Sequence, residues 1–221
     1  MKIFIDTLDL QEIKRYAGLG ILSGVTTNPT LAKRFGMTDD IDMVTQIREA
    51  LPTGEIHVEA FGNTSENIID NIKRIHTQSR DDNLVFKIPF SIEGIKAINV
   101  AKQSLRVKTN LHLIFSTNQA LISSNVKSDY ICPLVGRLDD AGHDAFENLE
   151  KFICAFSHTS DNITKIMISS VRHPQHVEKA FIVGADSITI PPYVLDKLFT
   201  HPLTDVGYEQ FKSDIISMSK N

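Results

Sequence analysis

Lys87 sits inside an otherwise apolar run, Leu84-Val85-Phe86-Lys87-Ile88, which Pro89 closes. An ammonium there is poorly hydrated, and desolvation disfavours the charged form of a lysine. The neutral amine is a nucleophile toward a carbonyl carbon, with which it forms a Schiff base. At an ordinary pKa of about 10.4, only about one lysine in a few thousand is neutral at pH 7, so the apolar setting matters. Schiff-base chemistry also moves protons at each step and needs acids and bases within reach. Asp6 follows Ile3-Phe4-Ile5 and Glu59 follows Ile56-His57-Val58, so both carboxylates stand at the ends of short apolar runs. His112 lies in a third, Leu111-His112-Leu113-Ile114, and Thr26, Asn28 and Thr189 offer neutral hydrogen-bonding groups at the ends of others. Arg137 and Arg172, with Ser170, could clamp a phosphate through charge-assisted hydrogen bonds. Taken singly, each also has an ordinary reading. A lysine snorkels out of a strand end, a lone carboxylate caps a helix, and an arginine pairs on the surface.

What would bring these residues together is a repeating order of short strands and helices. Ile3-Phe4-Ile5, Val25-Thr26-Thr27, Ile56-His57-Val58, Leu84 to Ile88, Leu111 to Ile114, Tyr130-Ile131-Cys132, Ile166-Met167-Ile168 and Ser187 to Ile190 read as eight strands. Their near-continuous apolar character is that of strands buried on both faces. Each precedes a helical pattern. Leu10, Ile13, Tyr16 and Ala17 follow the capping form Asp9-x-x-Glu12, and Ser116-x-x-Gln119 opens another helix. Pro29, after Asn28, suits a first helical position. Eight such units predict a (β/α)8 TIM barrel occupying residues 1–221 as a single domain, with the polar strand ends converging on its C-terminal face. The amphipathic segment from Thr204 to Met218 is surplus to the barrel, an extra C-terminal helix suited to packing on a neighbouring surface or subunit.

Composition narrows the function classes. The chain has 221 residues, 42% of them hydrophobic, and a formal net charge of −4, so no electrostatic footprint for nucleic acid or an anionic membrane is expected. No apolar run approaches the roughly 20 residues of a membrane span. Nothing at the N-terminus reads as a signal peptide, and two cysteines, Cys132 and Cys154, make no disulfide framework, so a cytoplasmic protein is expected. Cys132 reads as a core thiol and Gly18-x-Gly20 as a helix stop. His173-x-x-His176 lacks a thiolate near it, and no metal site is expected there.

Taken together these segments resemble the transaldolase family, in particular the short subfamily that also contains fructose-6-phosphate aldolases. The resemblance rests on Phe4-Ile5-Asp6-Thr7, Gly24-Val25-Thr26-Thr27-Asn28-Pro29, Lys87-Ile88-Pro89, Leu113-Ile114-Phe115-Ser116 with Gln119-Ala120, and Pro133 with Val135-Gly136-Arg137-Leu138-Asp139-Asp140. It continues in Ser170-Val171-Arg172-His173-Pro174 and His201-Pro202-Leu203-Thr204-Asp205, in family order over nearly the whole chain. It implies a barrel of the class I, Schiff-base aldolase type that works without metal or organic cofactor. The implied reaction moves a dihydroxyacetone unit from sedoheptulose 7-phosphate or fructose 6-phosphate to glyceraldehyde 3-phosphate or erythrose 4-phosphate, in the pentose phosphate pathway. By resemblance Lys87 attacks the C2 ketone and Asp6 takes the C4 hydroxyl proton. Glu59 would hold the water that shuttles protons, Asn28 would bind the dihydroxyacetone hydroxyls, and Arg137, Ser170 and Arg172 would bind phosphate. Short members of the family form pentameric rings, often stacked into decamers, so a homo-oligomer is implied.

The chain departs from the family at two positions. Relatives usually have threonine at the position of His112, where it helps hold the catalytic water, and an aromatic residue at that of Leu134. The aldolase branch carries glutamine at the Glu59 position and tyrosine at the Leu134 position, so Glu59 and Leu134 favour transaldolase. The alternatives are an aldolase-like lyase and a catalytically degenerate barrel kept for assembly or binding. Strand alternation between Leu111 and Leu113 points His112 into the barrel mouth near Glu59 and Lys87. There it either takes over part of the water's role, titrating near neutrality, or is a tolerated bulky substitution.

Overall fold

The computed structural model describes residues 1–157 and 164–219. Eight parallel strands close into a barrel in chain order: β1 (Lys2–Asp6), β2 (Leu22–Thr26), β3 (Glu55–Glu59), β4 (Leu84–Pro89), β5 (Lys108–Ile114), β6 (Tyr130–Pro133), β7 (Lys165–Ile168) and β8 (Ser187–Ile190). The helices are α1 (Leu10–Ala17), α2 (Pro29–Phe35), α3 (Asp40–Ala50), α4 (Ser65–Ser79), α5 (Ile92–Val100), α6 (Thr117–Asn125), α7 (Val135–Asp140), α8 (Ala145–Ser157), α9 (Pro174–Ile182), α10 (Pro192–Leu195) and α11 (Pro202–Met218). All eight expected strands are present. This is the expected (β/α)8 TIM barrel.

Alternation along the strands sorts side chains into two cores. Ile5, Val25, Ile56, Val58, Phe86 and Ile88 point outward and are buried under the helices. Each such burial contributes about 1.5–3 kcal/mol. Phe4, Val85, Tyr130, Cys132 and Met167 point inward and fill the barrel. Below them Glu55 accepts from Tyr130 Oη and Lys108 Nζ, each at 2.6 Å. Burial pushes Glu55 up, but His57, Lys108 and Tyr130 hold it well below the usual carboxylate range.

The expected helix starts are seen in detail. Asp9 accepts from the backbone N–H groups of Gln11 and Glu12. Ser116 accepts from Gln119 N–H, and the Gln119 side chain reaches back to Phe115 N–H at 2.7 Å, one residue before the capping position. α11 buries none of its residues, and its large apolar side chains, among them Leu203, Val206, Phe211, Ile215 and Met218, are all exposed. Among the described residues no helix is long and apolar enough to cross a membrane.

Candidate active site

A cavity of about 500 Å3 opens at the C-terminal end of the barrel. Asp6, Thr26, Asn28, Glu59, Lys87, His112, Arg137, Ser170, Arg172 and Thr189 all line it, so every polar residue singled out at a strand end reaches one space. Register explains the convergence: Asp6 pairs with Thr26, Glu59 with Lys87, and His112 with Pro89 and Cys132, so the inward positions of successive strands form one layer.

Lys87 is 7% exposed, and its Nζ donates to the carbonyl of Thr27. Glu59 Oε2 lies 3.7 Å from that nitrogen and, among the described residues, has no hydrogen-bond partner. Its other oxygen, Oε1, is 2.7 Å from His112 Nε2. A carboxylate accepts, so Nε2 carries the proton. Burial, more than any neighbour, pulls the His112 pKa below the ordinary imidazole value; Lys87 and Arg137 add to this, and the Glu59 pair only partly opposes it. The expectation of titration near neutrality is corrected accordingly: His112 is a neutral donor at pH 7.

Across the cavity Asp6 Oδ1 accepts from Thr26 Oγ1 at 2.9 Å. Thr26 has given its only proton, so the Thr189 hydroxyl, 2.5 Å away, is the donor to Thr26. This chain fixes the carboxyl group. Desolvation raises the Asp6 pKa, against the attraction of Lys87 and the Thr26 hydrogen bond. Asn28 caps α2 by accepting Leu31 N–H at Oδ1, which leaves its amide nitrogen as the group able to donate into the cavity.

At the other rim, Arg172 holds Asp140 through both terminal nitrogens, at 2.5 and 3.1 Å, with both side chains about half exposed. Such exposed pairs contribute about 0–1 kcal/mol, so the guanidinium can exchange partners cheaply. Arg137 makes no ion pair among the described residues. Gly136 lets Ser170 and the Arg172 side chain pack against α7. A Cβ there would meet Ser170 O at 2.1 Å and Arg172 Nε at 2.8 Å, and Gly136 N–H donates to that same carbonyl.

One expectation is revised. Leu113 does not face away from the site as simple alternation requires. A bulge between His112 and Ile114, with Leu113 at φ 60°, resets the strand and turns Leu113 toward the cavity as well. Cys132 is the expected core thiol, 2% exposed and with its pKa raised by burial, and it also lines the cavity. Its inward parity with Tyr130 was the available signal. Phe61, exposed at the rim, carried none.

The sequence profile of the transaldolase/fructose-6-phosphate aldolase family matches residues 3–220. Probable transaldolases of Methanococcus maripaludis and of a Thermoanaerobacter species are 40% and 41% identical over 214 residues, covering 97% of this chain and 97% and 96% of theirs. Among solved structures, a thiamine phosphate pyrophosphorylase from Pyrococcus furiosus is similar in fold alone, at 14% identity and a TM-score of 0.54, covering 86% of this chain and 85% of that one. Profile and relatives together place the chain in the transaldolase/fructose-6-phosphate aldolase family.

Proposed function

We propose that the chain, acting as one domain, is a transaldolase with the donors and acceptors named above, working through a Lys87 Schiff base in the pentose phosphate pathway of the cytoplasm. The observation that carries this reading is the buried Lys87 amine facing two carboxyl groups across one cavity. The neutral amine adds to the C2 ketone, and the carbinolamine loses water when its oxygen is protonated. Glu59 Oε2, unpartnered beside Nζ, is placed to deliver and recover that proton. The iminium then accepts the C3–C4 bonding pair while Asp6 takes the C4 hydroxyl proton, and the aldose leaves. The enamine adds to the incoming aldehyde, Asp6 returns its proton, and hydrolysis frees Lys87. Asn28 would donate to a hydroxyl of the three-carbon unit. The exposed apolar side chains of α11 support a homo-oligomer, a pentamer or decamer, with α11 covered by a second copy.

The test supplies fructose 6-phosphate with and without erythrose 4-phosphate and follows sedoheptulose 7-phosphate and free dihydroxyacetone, with borohydride trapping alongside. Transfer should far outpace release, and the trapped adduct should map to Lys87. Release that keeps pace with transfer would make the chain an aldolase, and absence of both product and adduct would make it a non-catalytic barrel.

The anion clamp is tested separately. Arg137→Ala and Arg172→Ala should each weaken binding of phosphorylated ketoses by about 10- to 150-fold, the size of a charge-assisted contact of about 1.5–3 kcal/mol, and unphosphorylated ketoses far less. Equal losses for both would show the arginines to be structural.

His112 donates to Glu59 where relatives hold a water, so it takes over part of that water's role by orienting the carboxylate with Oε2 toward Lys87. His112→Thr should then slow turnover and remove a limb of the pH profile lying on the acid side of the ordinary imidazole range, measured from pH 5 to 9. Equal or higher activity with an unchanged profile would show His112 to be a passive substitution.

A further inference from the structure

Outside the cavity, Asp139, His173 and His176 bring three potential ligand atoms within 4.8 Å of one another. A metal is the first reading of such a group, but the bonds of His176 argue otherwise. This ring is 2% exposed. Its Nδ1 accepts the backbone N–H of Arg172 at 3.3 Å, and its Nε2 lies 2.7 Å from Asp139 Oδ2. A backbone N–H can only donate, so Nδ1 must keep its lone pair and the ring proton sits on Nε2, given to Asp139. Both nitrogens are thus committed, and neither offers a lone pair to a metal.

The ring joins two segments that carry different halves of the anion clamp. Asp139 and Arg137 belong to α7, and Arg172 belongs to the loop between β7 and α9. That loop is otherwise tied to the start of α7 by Ser169 O with Val135 N–H and by Ser170 O with Gly136 N–H, and to its end by the exposed Arg172–Asp140 pair. Of these links, only the one through His176 runs through the backbone of Arg172 itself. We propose that His176 is a positioning residue: it fixes the Arg172 backbone against α7 so that Arg137 and Arg172 face one anion. The inference rests on the reading of these arginines as the phosphate clamp.

The surroundings keep the ring neutral. Asp139 faces it from α7, His173 from the start of α9 with ring centroids 3.7 Å apart, Phe146 from α8, and Lys179 from its own helix. Burial lowers its pKa below the ordinary value, His173 and Lys179 push the same way, and Asp139 opposes them. Protonation would place a second N–H against that of Arg172 and break the link.

His176→Phe keeps ring volume and removes both bonds. Gln at the same position restores an N–H toward Asp139, and Asp139→Ala cuts the outer bond from the surface should the buried variant not fold. The readouts are KM and kcat for fructose 6-phosphate, the same constants for unphosphorylated fructose, and inhibition by inorganic phosphate. His176→Phe and Asp139→Ala should raise KM for the phosphorylated donor, and the inhibition constant for phosphate, by about 5- to 10-fold, the size of a neutral hydrogen bond. Turnover and the unphosphorylated donor should change little, and His176→Gln should recover much of the loss. Equal losses for both donors, no effect in folded variants, or stoichiometric zinc that His176→Phe releases would overturn the proposal. Arg172→Ala runs alongside. If it leaves phosphate inhibition unchanged, the clamp reading fails and takes this one with it. If it weakens phosphate and the His176 and Asp139 variants do not, only the brace fails.

Discussion

Lys87→Met is expected to abolish turnover, by at least about four orders of magnitude, while the protein remains folded. The size follows from the chemistry: among the described residues no other group lining the cavity is an amine, and losing a covalent nucleophile is not made good by the residues that served it. Folding should survive because methionine matches the lysine stem in length and replaces a buried polar group with an apolar one. Removing one member of a buried ion pair is destabilising when it leaves the other charge uncompensated, so what Glu59 retains decides the outcome. Glu59 loses a cation 3.7 Å away but keeps the His112 hydrogen bond, so it is not left without a partner. Borohydride with fructose 6-phosphate should label the parent protein at residue 87 and leave the variant unlabelled. Residual activity well above background in a folded Lys87→Met protein, or a label on another lysine, would remove Lys87 from the mechanism.

The convergence of these residues was readable in advance because a closed parallel barrel leaves few choices. Once Ile3-Phe4-Ile5, Leu84 to Ile88 and their counterparts are taken as strands, the polar residue ending each run must face the same mouth. Strand length was less legible. β3 begins at Glu55 and β5 at Lys108, because polar residues at the barrel floor satisfy one another there, a pairing no local pattern shows. Alternation failed at Leu113, where a left-handed residue inserts a bulge that a leucine does not advertise. The direction of the His112 pKa depended on how its three neighbours and its burial balance, and that balance is a property of the assembled cavity. The link from His176 to Arg172 and Asp139 runs through a backbone N–H and spans 37 positions, so the spacing His173-x-x-His176, where no metal was expected, gave no sign of it.

Asp6→Asn should separate the two halves of the reaction. The amide keeps an oxygen for Thr26 Oγ1 to donate to, so the Thr189–Thr26 chain can hold it in place, but it cannot take the C4 hydroxyl proton. Loss of a positioned general base costs about 10²–10⁴-fold, and kcat should fall by that much. Schiff-base formation, which draws its protons from the Glu59 side, should persist. Borohydride should therefore trap the whole six-carbon ketose phosphate on Lys87 in the variant and the three-carbon unit in the parent, a difference read by peptide mass. The pH dependence gives a second check. Burial raises the Asp6 pKa above the usual carboxylate value, and the base form is the ionised one. In the parent, activity should fall as pH drops through that raised value, at a higher pH than an exposed aspartate would give. The sign for stability is opposite. A raised folded-state pKa contributes stability that is present below the unfolded value and lost as pH rises through the folded one. Asparagine stays neutral throughout, so the Tm of Asp6→Asn relative to the parent should climb from acid toward neutral pH. A variant that still cleaves fructose 6-phosphate at the parent rate, or that traps only three carbons, would show that another group takes the proton.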